Sequence, residues 1–249
     1  MKNASFFVMI MLVSFSAYAQ EICPTNNGDL KIYPIQHASM VWEWNDLTLY
    51  IDPVGDPAAY ANFAAPDLVL ITHSHGDHLS KLTLEGIHAE SAPFIVPQEV
   101  ADKMSEAFKS DLTILPNGEI TEVLDMEIEA VPAYNYPVTE TSHHKKGVGN
   151  GYIITIGGKR IYISGDTGNM PEMSEIKNID RAFLCMNLPY TMDIDEAAKA
   201  TLIINPKIVY PYHYRGTGGF SDLEKFTALV HDKNKDIEVR VLAWYPKAL

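Results

Sequence analysis

Residues 73–78 read His-Ser-His-Gly-Asp-His, so four side chains able to bind a metal, His73, His75, Asp77 and His78, fall within six positions. The run 68–71 ahead of them is continuously apolar and predicts a buried strand. Gly76 then frees the backbone to turn. His73 and His75 are two apart, so in an extended segment they project to the same side. Asp77 and His78 come after the turn and can reach the same point from another direction. Neutral imidazole with carboxylate suits zinc and similar first-row ions. A polar loop that happens to be rich in histidine is the plain alternative, and the density of the motif argues against it.

Other chemistry-bearing residues stand where predicted strands end. A hairpin with Gly157-Gly158 at its turn runs into Ser164-Gly165-Asp166-Thr167-Gly168, and Tyr212-His213-Tyr214 follows the strand 207–211. Asp52 closes the strand 47–51 and can support a ligand histidine by a hydrogen bond. His143 and His144 precede Lys145-Lys146-Gly147 in an irregular segment. His37, alone between two predicted strands, reads as structural, and His88 and His231, at helix ends, as solvated. No glycine-rich phosphate loop and no Gly-x-Ser-x-Gly elbow is present.

The His-x-His-x-Asp-His run after an apolar strand resembles the metallo-β-lactamase superfamily. The resemblance implies an α/β fold, a four-layer αβ/βα sandwich, with one or two metal ions at one edge of its sheets. It implies His73 and His75 on a first ion, and Asp77, His78 and His213 on a second. Asp166 bridges the two, and Asp77 is catalytic as well as ligating. The superfamily's third histidine commonly follows a Pro-Ala-x context; here Pro132-Ala133-Tyr134 is followed by Asn135. The segment from His143 through Gly147 to Gly149-Asn150-Gly151-Tyr152 resembles the His-Pro-Lys-Gly and Gly-x-Gly-Tyr of a group of bacterial and archaeal metal-dependent hydrolases, which favours His144 over His143. Asn135 stays open as the alternative. Residues 187–214 match the same group, and the likeness spans residues 30 to 243. The cofactor expected is zinc, one or two ions, with manganese or iron also suited.

The chain has 249 residues, of which 47% are hydrophobic, enough for one large domain. Residues 1–19, with Lys2, an apolar core and Ala17-Tyr18-Ala19, read as a cleaved signal peptide, leaving a hydrolase domain over 20–249 that starts at Gln20. The protein is thus expected in the periplasm or secreted. Nothing after residue 20 is long and apolar enough to span a membrane. A net charge of −13 repels phosphate backbones, which points away from nucleic acid and toward a small-molecule substrate. Cys23 and Cys185 allow one disulfide or two free thiols. Helices are predicted over 57–64, 79–89, 99–108, 194–203 and 221–230, the last two capped by Asp193 and Ser221, and a final strand over 237–243. The expected activity is metal-dependent hydrolysis of an ester, lactone, amide or phosphodiester by metal-activated hydroxide. A β-lactamase, an iron-dependent oxidoreductase and a metal-dependent binding protein without turnover are the alternatives.

Overall fold

The computed structural model describes residues 20–245, and the expected leader lies outside the described residues. Two seven-stranded sheets carry the fold. The first places β1 (Glu21–Thr25), β2 (Gly28–Gln36), β3 (Ser39–Trp44), β4 (Leu47–Ile51), β5 (Leu68–Leu70), β6 (Phe94–Val96) and β7 (Leu112–Ile114) side by side in chain order. Pairings from β1 to β4 are antiparallel, and those from β4 to β7 parallel. The second sheet repeats this plan. β8 (Ile120–Val123), β9 (Met126–Ala133), β10 (Gly149–Ile156) and β11 (Lys159–Ile163) pair antiparallel. β12 (Arg181–Cys185) and β13 (Ile208–Tyr212) continue in parallel; a hairpin of β14 (Arg215–Gly216) and β15 (Gly219–Phe220) stands outside the sheet; β16 (Glu238–Val239) closes it, parallel to β13.

Strand periodicity sets the layers. Met40, Trp42 and Trp44 of β3, Leu49 and Ile51 of β4, and Leu68 and Leu70 of β5 join the core shared with the second sheet, while Val41, Tyr50 and Val69 between them face the other way. Both faces of these strands are therefore buried, which is why they read as continuous apolar runs. The outward face is covered by α1 (Lys81–Gly86) and α2 (Gln98–Lys103) through Leu84, Val100 and Ala101. Ala197 and Ala200 of α3 (Ile194–Ile204) and Phe226 and Val230 of α4 (Leu223–Lys233) join the main core with the second sheet. Helices, sheet, sheet and helices make the four-layer sandwich.

Several predicted boundaries move. Only Pro57–Tyr60 of the first predicted helix is helical, as one 3-10 turn. The second is confined to α1, because His88 takes a left-handed conformation. The third breaks after Lys103 and resumes as a 3-10 turn at Glu106–Phe108. Asp193 does cap α3, accepting from the Glu196 amide while the Glu196 carboxylate accepts from the Asp193 amide. The cap of α4 is Asp222; Ser221 instead donates to the Met186 carbonyl. The last strand shrinks to β16, and β1, which sequence reasoning missed, pairs with β2 over five positions. Instead of being solvated, His231 is part-buried with Nε2 3.1 Å from the Ile237 carbonyl oxygen. Cys23 and Cys185 are both buried free thiols. Burial pushes the Cys185 thiol up to about 12, so it is unreactive near neutrality.

Candidate metal centre

The strand ends converge because their registers agree. Ile51 lies opposite Leu70, Ile163 opposite Phe183, and Cys185 opposite Tyr212. Asp52 therefore follows β4 level with the His73–His78 loop after β5, and Asp166 and His213 follow β11 and β13 on the facing sheet. The sheets are tied at this edge. The Asn150 amide donates to the Thr72 carbonyl (2.8 Å) and the Tyr152 hydroxyl to the Ile71 carbonyl (2.8 Å). Gly165 makes the approach possible: its φ is +58°, and a Cβ there would stand 2.7 Å from the Asn150 carbonyl oxygen. His37, Asp52 and His213 also have left-handed backbones, at φ 55°, 45° and 47°. Each costs about 1–3 kcal/mol, a strain that concentrates at functional sites.

Asp166 sits at the focus. Its Oδ1 is 3.5 Å from His78 Nε2 and 3.3 Å from His213 Nε2, and its Oδ2 is 3.3 Å from His144 Nε2. His213 Nε2 is 3.5 Å from Asp77 Oδ2, which lies 3.4 Å from His37 Nε2. Two donors about 2.0–2.1 Å from one ion at a tetrahedral angle stand roughly 3.3–3.4 Å apart. The separations around Asp166 are ones that side chains binding a common ion could adopt, and are long for hydrogen bonds. Donor atoms within 4.8 Å of one another form three groups: His73, His75 and His144; His73, His78 and Asp166; and His37, Asp77 and His213. His73 Nε2, His78 Nε2, both ring nitrogens of His144, and Asp166 Oδ1 are buried without a hydrogen-bond partner. Buried polar atoms are rarely left so, and a first-row metal fits them.

The rings after β5 are held from behind. The buried Asp52 carboxylate accepts from the Thr72 amide (2.7 Å), the Thr72 hydroxyl (2.7 Å) and His78 Nδ1 (2.7 Å). With its proton given to Asp52, Thr72 Oγ1 can accept from His73 Nδ1 at 3.0 Å. Both Nδ1 atoms then carry the proton, and both Nε2 lone pairs point into the centre.

The charges are coupled to match. Burial resists ionisation of Asp166, but His213 and His78 outweigh it and hold the carboxyl well below the usual range. Burial likewise opposes Asp77, and His213 and His37 overcome it. Burial also resists charge on His213, yet Asp166 and Asp77 raise it to about 9. His73 and His75 are instead lowered, chiefly by burial.

His144 is buried and groups with His73 and His75, whereas the Asn135 side chain is used elsewhere. Its Oδ1 accepts from the His144 amide (2.8 Å), its own amide donates to the His144 carbonyl (3.0 Å), and its Nδ2 donates to the Tyr190 carbonyl (2.8 Å). His143 is exposed beside the Tyr190 ring. A cavity of about 140 Å³ opens on this side, lined by His73, His75, Glu99, His143, His144 and Asp166. Sequence reasoning missed two residues. His37 packs its ring 3.8 Å from that of His213, with Nδ1 2.8 Å from the Tyr245 hydroxyl, and Thr72 links Asp52 to two histidines. Neither belongs to a spaced motif; an apolar strand ending in Thr72 was the only local cue.

Comparison with known proteins gives the family and the fold. Residues 31–213 match the model of the β-lactamase superfamily domain. A UPF0173 metal-dependent hydrolase of Pyrococcus abyssi is 35% identical over 223 residues, covering 85% of this chain and 96% of that protein. Its counterpart in Pyrococcus furiosus is 34% identical over 220 residues, covering 83% and 94%. Among solved structures, a protein of Parabacteroides distasonis superposes with a TM-score of 0.82 at 34% identity, covering 92% of this chain and all of that one. Igni18, a metallo hydrolase of Ignicoccus hospitalis, gives 0.71 at 29%, covering 86% and 94%. With the match spanning most of the chain and the strand ends collecting the donors, the chain belongs to the metallo-β-lactamase superfamily, among the UPF0173 metal-dependent hydrolases.

Proposed function

We propose that this chain hydrolyses a small-molecule ester, lactone, amide or phosphodiester with one or two zinc-type ions. The observation that supports it most is the pair of buried histidine nitrogens without a hydrogen-bond partner, His78 Nε2 and His144 Nε2, one at each oxygen of Asp166. His73, His75 and His144 would hold one ion and Asp77, His78 and His213 the other, with Asp166 between. Such ions make water acidic enough to ionise near neutrality and polarise the group under attack. The chain's own part is orientation and proton handling. Asp52 and Thr72 fix the rings of His78 and His73. Asp77, 46% exposed against 4% for Asp166 and 0% for Asp52, is the carboxylate open to substrate. Its ionised form, kept by His213 and His37, can accept a hydrogen bond from the attacking water and so orient it. We also propose that the enzyme works after export, with Gln20 as its first residue, which N-terminal sequencing from a secreting host would check.

The test is elemental analysis joined to a hydrolysis panel of esters, lactones, amides and phosphodiesters. The expected result is up to two ions per chain and turnover of at least one class, lost on chelation and restored by zinc. Metal-loaded protein that turns over none of the panel would sink the hydrolase reading. Bound iron with oxygen consumption would replace it with an oxidoreductase.

A further inference from the structure

A second cavity, of about 510 Å³, opens on the other side of the centre, beside Asp77. Its wall includes His37, Asp77, Arg215, Trp244 and Tyr245, and Gly76 leaves it bare, since a Cβ there would meet nothing within 4 Å. That is the size of a small-molecule site. Resting on the reading above, we propose that this cavity holds the part of the substrate remote from the scissile bond, and that Arg215 selects a carboxylate or phosphate there.

Arg215 differs from the other arginines of the chain. Arg160 pairs with Glu129 (3.4 Å), Arg181 with Glu21 (2.7 Å) and Arg240 with Glu238 (2.6 Å). Arg215 has no carboxylate partner among the described residues, in a chain of net charge −13 where acids are abundant. Instead its guanidinium carbon lies 5.0 Å from the centroid of the Tyr245 ring. Stacking of this kind holds the planar group while leaving its fork of donors free. The ring beneath is itself fixed. Tyr245 packs against Tyr214 and Phe220, each 5.0 Å away between centroids, and its hydroxyl meets His37 Nδ1 at 2.8 Å. His37 Nε2 in turn faces Asp77. The wall therefore runs without a break from the guanidinium to a residue of the metal centre. Arg215 also lies two residues after His213, at the start of β14, so the segment leaving β13 carries a proposed metal-centre histidine and the anion anchor together. An acidic surface repels anionic substrates in general, and a local cation beside the reaction centre gives the field that draws one in. An arginine binds carboxylate or phosphate by paired, charge-assisted hydrogen bonds.

Binding, not turnover, tests this. Metal-loaded protein is titrated calorimetrically with glutarate and adipate, with 3-phosphonopropionate, and with butyrate as the ligand lacking a second anionic group. The wild type is expected to prefer at least one doubly anionic ligand over butyrate by about tenfold, and the preference should shrink as salt rises. Arg215→Gln should abolish the preference at unchanged metal content, and Arg215→Lys should keep part of it. Which ligand wins distinguishes a carboxylate substrate from a phosphate one. No preference in the wild type, or a preference that survives in Arg215→Gln, overturns the proposal. The wild-type arm decides even if a variant fails to fold. Failure of the hydrolase reading would show separately, as absent metal or absent turnover.

Discussion

In the first sheet, the connection between β2 and β3 is two residues long, 37–38, and carries His37; the matching connection in the second sheet, between β9 and β10, runs over 134–148 and carries His144. The last antiparallel strands correspond too: β4 ends at Asp52, and β11 leads to Asp166. Equivalent positions thus hold the same residue types, yet their surroundings divide the work. Asp52 accepts three hydrogen bonds from Thr72 and His78, so three of its roughly four lone-pair sites already face proton donors. Asp166 faces histidine nitrogens at 3.3–3.5 Å, and its Oδ1 has no hydrogen-bond partner. Proton donors next to a carboxylate make it an anchor, and histidine nitrogens converging on it suit it to the proposed place of a ligand. The same contrast separates the histidines: the His37 ring is hydrogen-bonded to Tyr245, whereas neither ring nitrogen of His144 has a hydrogen-bond partner.

The largest effect should come from Asp166. Asp166→Ala removes a donor from both proposed ions and leaves histidine nitrogens facing one another with no carboxylate between them. Metal content measured by elemental analysis should fall close to zero, and hydrolysis by about a thousandfold or more, because the electrophile and its water are both lost. Full occupancy in a folded Asp166→Ala protein would refute its central place. His144→Ala should come next, costing one ion of two, while His37→Ala retains both. Equal losses in these two variants would erase the distinction between the sheets.

Legibility followed sequence distance. His73, His75, Asp77 and His78 announce themselves because one loop carries them all, and residue type with spacing is then enough. Asp166 and His213 needed the strand-end rule, since each stands alone in the sequence. His37 could not be singled out: the tyrosine that orients it is 208 residues away, and its partner Asp77 is brought near only by sheet pairing. Asn135 was legible as a departure from the family's histidine, but its use in holding the His144 backbone appears only when the loop is closed. Helix ends moved for local reasons that apolar patterns do not register, such as the left-handed turn at His88.

Anchoring should matter less than ligation. Asp52→Asn keeps the shape but presents an amide to His78 Nδ1, so the ring loses its fixed proton. Loss of such a support costs about 10–100-fold in metal affinity, which chelator competition would measure. If Asp52→Asn lost as much metal as Asp166→Ala, the two acids would not differ in role. The two ions should also differ in pH response. His213 is charged in the metal-free protein up to about pH 9, so an ion binding there must displace its proton. Affinity at that site should climb about tenfold or more per pH unit between pH 7 and 9, since, against its burial, Asp166 and Asp52 raise His78 as well, then level off. His73 and His75 are already neutral, burial having lowered both, so they release no proton above pH 7. A parallel rise for both ions would contradict the assignment.

The smallest effect tests how the long connection of the second sheet matches what two residues achieve in the first. His144 has no ring support, so its place depends on its backbone, and Asn135 supplies the side-chain bond to it. Asn135 Oδ1 takes the His144 amide and Nδ2 the Tyr190 carbonyl, lacing residues 135, 144 and 190 together. In Asn135→Ala the amide-to-carbonyl bond from residue 135 to His144 persists, so the loop loosens without opening. A typical intramolecular hydrogen bond contributes about 1 kcal/mol net, and two of them correspond to a weakening of roughly ten- to thirtyfold at most. Part of that is recovered when the ion itself orders the loop, so about fivefold is the expected loss, confined to the first ion. His143→Ala, at an exposed residue whose ring packs on that of Tyr190, should leave both affinities unchanged. Stepwise chelator competition on the two variants resolves the ions. Complete loss of the first ion in Asn135→Ala, with His144→Ala unaffected, would mean that Asn135 is itself the ligand and the longer connection serves another purpose.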